Sequence, residues 1–340
     1  MSKNIAFFGT KPWEREHIEK QQAKLADAAL WFTEEILSDD HPPKETNFDA
    51  ISVFVDSNVT RNVLEKFPIL QFVATRSTGF DHIDVAACKE KNIAVSSVPS
   101  YGANTVAEMA FGLILTLSRK IYESYDRIRE TGNWSVEGLR GFDLMGKTIG
   151  IVGTGKIGRH SIAIAKGFGM KIVAYDPIPD LGLAAEYNFP YKPLNDLLAE
   201  SDVVTIHVPY MTETHHLMDE KRIGLMKKGA LLINTSRGGI VETAALVRAL
   251  QSGQLGGAGL DVLEEEGVIK DEIDFLVSGK PEGHDWKTVI ANHVLIDMPN
   301  VVITPHNAFN TKEAIERILD TTVENIAGYL RGEVLNKVNV

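Results

Sequence analysis

The chain has little with which to cross-link itself. Cysteine occurs once in 340 residues, at Cys88, which excludes an internal disulfide framework and a cysteine-rich metal site. One thiol fits a reducing compartment, and Cys88 reads as a small, half-buried filler in a helix. Long apolar runs are missing too. The most apolar internal stretch, residues 109–117, is interrupted by Gly112 and Thr116 and stops at Arg119 and Lys120, well short of the ~20 residues that span a bilayer. No cationic lead followed by an apolar core opens the chain, so no signal peptide is expected and the protein reads as cytoplasmic, away from membranes. Positive charge is in deficit, with Lys+Arg 35 against Asp+Glu 46 and a net charge of −11. Such a chain repels phosphate backbones, which argues against nucleic acid as a partner and leaves room only for a local basic patch on a small anion.

What is present is ordinary for a packed protein: 44% hydrophobic and 24% charged residues, which excludes intrinsic disorder. At about 150 residues per domain the length predicts two domains. Short apolar runs bounded by turn signals alternate with helix-period segments. Residues 4–8, 51–55, 70–74 and 93–96 read as strands of a first unit, and residues 12–30, rich in Glu, Lys, Gln and Ala, as a helix. A second set of strands follows at 147–152, 171–175, 203–207, 230–234, 257–260 and 301–304, with helices at 156–168 and 242–251 among them. Strand–helix–strand alternation predicts parallel sheets covered by helices, hence two α/β domains. The boundary falls near residues 99–103, where Thr105 and Glu108 form a T-x-x-E capping box for a long apolar helix to about Arg119. Residues 267–299 are the least regular, with a short helix expected over 286–293. A loop of that length is usually functional or an insertion.

Gly153-Thr154-Gly155-Lys156-Ile157-Gly158 matches G-x-G-x-x-G. Alone the pattern is weak, because glycine-rich turns are common. Here a convincing strand leads in, an Ala/Ile-rich helix leads out, and a second strand ends at Asp176, eighteen residues past the last glycine. Gly153 allows the tight turn, Gly155 lets the backbone approach a pyrophosphate, and Gly158 lets the helix pack on the strand. Unpaired N–H groups at the helix start then face the anion. An acidic residue at the second strand end accepts hydrogen bonds from ribose hydroxyls and repels a 2′-phosphate, so NAD is expected over NADP. The bland alternative makes Asp176 a turn former before Pro177.

Three further strand ends carry polar groups: Asn234-Thr235-Ser236-Arg237-Gly238-Gly239, Asp261 followed by Glu264-Glu265-Glu266, and Thr304-Pro305-His306-Asn307. Ligands bind outside strand C-termini in open α/β sheets. Singly, Arg237 reads as a surface cation, the glutamates as a solvated acidic run and His306 as a turn residue. Together they place an arginine, a carboxylate and a histidine at one sheet edge. The other histidines read as structural or solvent-facing. His207 ends a strand, His215 and His216 sit in a polar connection, and His82, His284 and His293 lack carboxylates at ligand spacing, so no metal site is expected.

These motifs, with Val98-Pro99-Ser100-Tyr101-Gly102-Ala103-Asn104-Thr105-Val106-Ala107-Glu108 before them, resemble the D-isomer-specific 2-hydroxyacid dehydrogenase family over nearly the whole chain and in the family's order. Arg76-Ser77-Thr78-Gly79-Phe80-Asp81, Tyr101 and residues 306–309 resemble its D-lactate dehydrogenase branch. The resemblance implies two Rossmann-like or flavodoxin-like domains with the active site in the cleft between them: residues 1–103 with 304–340 for substrate, and 104–303 for NAD. It implies that Arg237 binds the substrate carboxylate and polarises the carbonyl, that His306 is the general acid or base, and that Glu266, fifth after Asp261, orients His306 and favours its protonated form. Thr78 and Gly79 hold the other side of the carboxylate and Tyr101 closes the pocket. The cofactor touches Thr105, Gly153, Gly155, Lys156, Ile157, Gly158, Asp176, Val208, Pro209, Thr214, Thr235 and Asp261.

The implied activity is NAD-dependent reduction of a small 2-keto acid, pyruvate to D-lactate first, with hydroxyisocaproate, phenyllactate and hydroxypyruvate dehydrogenases as alternatives. Formate dehydrogenases resemble this family but carry glutamine at the position of Glu266. An NAD-sensing protein like the family's corepressors is the alternative from another class. A homodimer through the cofactor domain is implied, with the long helix from Thr105 and residues 267–299 supplying surface for the second copy.

Overall fold

Alternating side chains on short parallel strands decide which helices cover which face. In the computed structural model, which describes residues 2–266 and 285–338, the first strand, β1 (Lys3–Phe7), shows this directly. Ile5 and Phe7 face one layer and Ala6 faces the other, as the two-residue period requires. All pairings in the first sheet are parallel, and its order is β2 (Ala28–Phe32), β1, β3 (Ala50–Val53), β4 (Phe72–Thr75) and β5 (Ala94–Ser96). Its chain order reverses between β1 and β3, the flavodoxin-like arrangement. Leu319, Val323, Ile326 and Ala327 of the long C-terminal helix (Lys312–Leu330) close one face of this sheet. Val63, Leu64, Ala87 and Cys88 from the helices after β3 and β4 close the other.

The second sheet has six parallel strands in the order Val301–Ile303, Leu255–Leu260, Ala230–Asn234, Val203–Ile206, Thr148–Val152 and Lys171–Tyr175. Ala110, Phe111, Leu113 and Ile114 of one helix (Ala103–Ser118) and Ile162 and Ala165 of another (Lys156–Gly167) cover one face. Leu197, Leu198, Leu246 and Leu295 cover the other. The chain divides into two compact units, Met1–Gly102 with Asn310–Val340, and Ala103–Phe309. Two parallel-sheet α/β units, each with a chain-order reversal, make the architecture Rossmann-like, as the sequence pattern predicts. No helix among the described residues is long and apolar enough to cross a membrane.

Several local expectations need correcting. The helix expected over 12–30 ends at Glu19, and Ala28–Phe32 is an edge strand registered from Lys3↔Ala28 to Phe7↔Phe32. Alanine and leucine favour helix locally, but pairing with β1 and stacking of Phe32 on Phe7 override that preference. Thr105 is not an N-cap, because the helix starts at Ala103 and Thr105 is buried within its first turn. The apolar side of that helix packs within its own unit. Cys88 is fully rather than half buried. Within the irregular segment, Trp286–Ile296 forms a helix capped by Asp285, longer than expected. Residues 267–284 lie outside the described residues. Finally, residues 304–309 belong to the second unit, not the first, because hydrogen bonds to Asp261 hold them there.

Candidate active site

The second unit gathers its chemistry at the strand ends. Gly153 follows strand Thr148–Val152 at φ 96°, and a Cβ there would meet the His207 carbonyl oxygen at 2.7 Å. A Cβ on Gly158 would meet the Gly153 carbonyl oxygen at 2.1 Å, so the helix runs hard against the turn. Gly155 differs. Nothing stands within 4 Å of where its Cβ would be, and it begins the helix Lys156–Gly167 without a side-chain cap. The turn is therefore closed on its protein side and open where helix N–H donors point outward, as a pyrophosphate requires.

Asp176 sits just beyond the next strand. One carboxylate oxygen accepts from Thr154 N at 2.8 Å and Thr154 Oγ1 at 3.0 Å, and the other accepts from Ile178 N at 2.9 Å. These bonds aim the carboxylate beside the glycine turn and leave it acceptor capacity for hydroxyls. Thr235 is buried, with an Oγ1 that finds no hydrogen-bond partner among the described residues. An orphaned hydroxyl at a strand end is explained by a ligand that hydrogen-bonds to it. Thr214 Oγ1 donates to Pro209 O at 2.7 Å and accepts from Met211 N at 2.7 Å, which shapes the loop after Val208. The set fits a dinucleotide.

At the neighbouring strand ends, His306 Nδ1 lies 2.8 Å from Glu266 Oε1. Glu266 also accepts from Leu263 N through Oε2 at 3.2 Å. An ionised carboxylate on Nδ1 leaves Nε2 as the ring nitrogen presented to a reactant. Of the three consecutive glutamates, Glu266 contacts His306, whereas Glu264 bonds His216 and Thr243. His306 adopts φ 50°, a left-handed conformation that histidine tolerates better than branched residues do. Its N–H donates to Asp261 O at 2.8 Å.

The Asp261 side chain lies beneath the same turn. It accepts from Thr304 Oγ1, from Asn307 N at 2.8 Å and from Ala308 N at 2.8 Å. Burial pushes its carboxyl above the usual range, against the pull of these donors. Sequence reasoning gave Asp261 to the cofactor, and holding the histidine turn is an additional task it did not see.

Arg237 is half-buried just past strand Ala230–Asn234, its Nη1 donating to Ser236 O at 2.8 Å. Asn234 Nδ2 donates to Arg237 O at 2.9 Å and Asn234 Oδ1 accepts from Ser236 N at 3.0 Å, so the strand's last residue shapes the arginine's loop.

In the first unit, Thr78 Oγ1 donates to Val98 O at 2.7 Å and Ser77 Oγ donates to Gly79 O at 2.6 Å, which ties the turn after β4. The carbonyl of Tyr101 accepts from Arg317 Nε. Arg76 is 1% exposed and braces β1 against β4, donating to Phe8 O at 2.8 Å and Gly9 O at 3.0 Å. Its Nε finds no partner among the described residues, and burial pulls the guanidinium down to about 10. Arg76 entered the sequence reading only as a branch marker, because its burial depends on three strands that are remote in sequence. Among the described residues no group of His, Cys, Asp and Glu is arranged to hold a metal ion.

Residues 111–308 match the family model for the D-isomer specific 2-hydroxyacid dehydrogenase NAD binding domain. A D-lactate dehydrogenase of Escherichia coli (strain K12) is 34% identical over 341 residues, covering 97% of each chain. A glyoxylate reductase of Pyrococcus horikoshii is 36% identical over 298 residues, covering 86% of this chain and 82% of that one. The solved structure of an Aquifex aeolicus D-lactate dehydrogenase complexed with NAD and lactic acid matches with a TM-score of 0.84 at 36% identity, over 97% of this chain and 96% of that one.

His207 yields a pH prediction. It is buried behind the glycine turn, its Nε2 lying 2.9 Å from Ser161 Oγ and 3.1 Å from Thr205 Oγ1, while Nδ1 has no partner among the described residues. Burial pulls its pKa down to about 4. A depressed histidine supports the fold fully above its unfolded pKa of about 6.5 and loses that support as pH falls towards its folded value. Urea midpoints should therefore fall between about pH 6.5 and 4, with His207 contributing up to about 3 kcal/mol. A folded His207→Gln variant should show a shallower loss over that window. Parallel curves for the two proteins would remove His207 as the cause.

Proposed function

The chain belongs to the D-isomer specific 2-hydroxyacid dehydrogenase family, and from that premise we propose that it reduces a small 2-keto acid, with pyruvate to D-lactate as the preferred reaction. It is an oxidoreductase acting on the CH–OH group of D-2-hydroxy acids, and its cofactor is NAD. The observation that carries the proposal is the His306 Nδ1 to Glu266 Oε1 contact of 2.8 Å at the strand end beside Asp261. A carboxylate in that place serves a proton donor, which formate oxidation does not need.

In this reading Arg237 grips the substrate carboxylate through two N–H groups and polarises the carbonyl. Bound as NADH, the cofactor supplies the hydride. His306 Nε2 gives its proton to the oxygen that becomes the hydroxyl, and takes it back when the reaction runs towards the keto acid. Glu266 keeps the ring in the required tautomer and balances the imidazolium. Main-chain groups of Thr78 and Gly79 hold the remaining carboxylate oxygen, and Tyr101 bounds the substrate side chain. Thr105, the Gly153–Gly158 turn with Lys156 and Ile157, Val208, Pro209, Thr214, Thr235 and Asp261 line the cofactor, while Asp176 takes its ribose hydroxyls. A single buried cysteine suits the cytoplasm's reducing poise.

We assign the molecule a homodimeric state, with the second copy seated on the helix Ile121–Thr131. That helix buries no residue, and it exposes Ile121, Tyr122, Tyr125 and Ile128, followed by Trp134 and Val136. A run of large apolar side chains at this density marks an association surface.

The reading is tested with NADH and 2-keto acids of graded side chain, from glyoxylate through pyruvate to phenylpyruvate. Turnover of several per second or more, highest with pyruvate, is expected. Tight NADH binding without turnover on any member would favour an NAD sensor instead. Glu266→Gln keeps the shape and removes the charge. It should cut kcat about tenfold or more and move the basic limb of pyruvate reduction and the acidic limb of D-lactate oxidation together to lower pH. Unmoved limbs would exclude Glu266 as the partner of His306. In light scattering at micromolar concentration, the mass should be near twice that of the chain, and a single-chain mass would end the dimer assignment.

A further inference from the structure

The triple glutamate run contains a half-buried carboxylate that the reaction described above does not use. Glu264 has a side chain only 14% exposed, and three elements converge on it. One oxygen lies 2.6 Å from His216 Nε2. The other accepts from Thr243 N at 2.8 Å and Thr243 Oγ1 at 2.5 Å, at the start of the helix Thr243–Gln251. Its carbonyl accepts from Asn292 Nδ2 at 2.6 Å, from the helix Trp286–Ile296. Asn292 is fully buried, so this bond is shielded from water.

Backbone packing ties the same residues to the arginine loop. A Cβ on Gly238, the residue after Arg237, would lie 2.0 Å from the Leu263 carbonyl carbon and 2.3 Å from Glu264 N. His216 N donates to Gly239 O at 2.8 Å, and a Cβ on Gly239 would meet the Tyr210 ring at 2.8 Å. Tyr210 Oη is 3.1 Å from His215 Nδ1, and the His215 and His216 rings stack with centroids 3.9 Å apart. The two rings thus join one hydrogen-bonded and stacked group, with His216 half-buried and His215 exposed. Glu265, between the two glutamates, is forced to φ 53°, a conformation that a glutamate holds only when its neighbours are pinned.

We propose that Glu264 is a positioning residue: it locks the loop that carries Glu266 against the loop of residues 209–216 and the Arg237 turn, so that the carboxylate facing His306 and the cofactor loop keep one register. This rests on reading Glu266 and His306 as the proton-transfer pair. A carboxylate is suited to the task because its two oxygens bind two elements at once, while the main-chain carbonyl of the same residue holds a third whatever the side chain. Glutamine keeps the acceptor towards Thr243 and offers an N–H to the His216 ring nitrogen, so it should preserve the lock. Alanine removes it.

The test follows the imidazole of His306 by NMR in histidine-labelled protein, assigned with His306→Gln, beside NADH affinity from fluorescence and pyruvate kinetics. Glu264→Ala should shift the His306 titration to lower pH, in the direction of Glu266→Gln, weaken NADH binding several-fold, and cut kcat about tenfold. Glu264→Gln should restore all three. His216→Ala should weaken NADH binding while leaving the His306 titration in place. If Glu264→Ala does not fold, Thr243→Ala removes one donor alone and should move the titration in the same direction by less. A His306 titration that stays at its parental position in folded Glu264→Ala, or in Thr243→Ala where the former does not fold, overturns the proposal. So does loss of the lock in Glu264→Gln equal to that in alanine. The NMR and NADH measurements need no turnover, so an unmodified protein inactive on every keto acid would count against pyruvate reduction and leave this test decisive.

Discussion

One buried carboxylate organises the chemistry of the second unit. Asp261 ends strand Leu255–Leu260, and its two oxygens take the Thr304 hydroxyl and the main-chain N–H groups of Asn307 and Ala308. Those donors close a turn that sets His306 at φ 50°, where its Nδ1 reaches Glu266. Burial raises the energy of the Asp261 anion, and three donors concentrated on it offset only part of that cost. The same bonds tie residues 304, 307 and 308 into the second unit, so loss of one donor would disturb the placement of His306.

Parallel strands explain why so few residues suffice. Every strand of the second sheet delivers its C-terminal end to one edge, and each of these ends carries a residue or motif singled out for the site. The glycine turn and Asp176 follow two strands, the Val208–Pro209 loop a third, Arg237 a fourth, Asp261 and the glutamates a fifth, and His306 the sixth. Loops that leave one edge must pack on one another, and Gly238 against Leu263 is the tightest example. Glycine at 238 is a requirement of that approach, because a side chain would overlap the neighbouring backbone. Such packing turns separate loops into one body, and it is what Glu264 holds together through His216 and Thr243.

Much of this was legible in the sequence, and the reason is local. Period-two apolar runs, helix-period segments and the glycine spacing are short-range patterns, so the α/β class, most strands, the dinucleotide turn and the candidates Arg237, Glu266 and His306 followed from residue order and resemblance. The failures were places where a distant partner decides. Ala28–Phe32 has helix-favouring composition and becomes a strand because β1 offers it a ladder. Thr105 has a capping pattern and is buried instead, because the helix begins earlier. Cys88 and Arg76 gave no sign of complete burial, which depends on elements far along the chain.

Among the glutamates the limit is sharpest. By itself the sequence determined that three carboxylates follow Asp261 and that family spacing selects Glu266. Only the tertiary structure decided what each does, because a carboxylate's role depends on the donors that reach it. Glu266 meets His306 from a strand end forty residues away, and Glu264 meets His216, Thr243 and Asn292 from three other elements. No local pattern encodes those meetings, since they are set by how sheet, helices and loops pack around one strand edge.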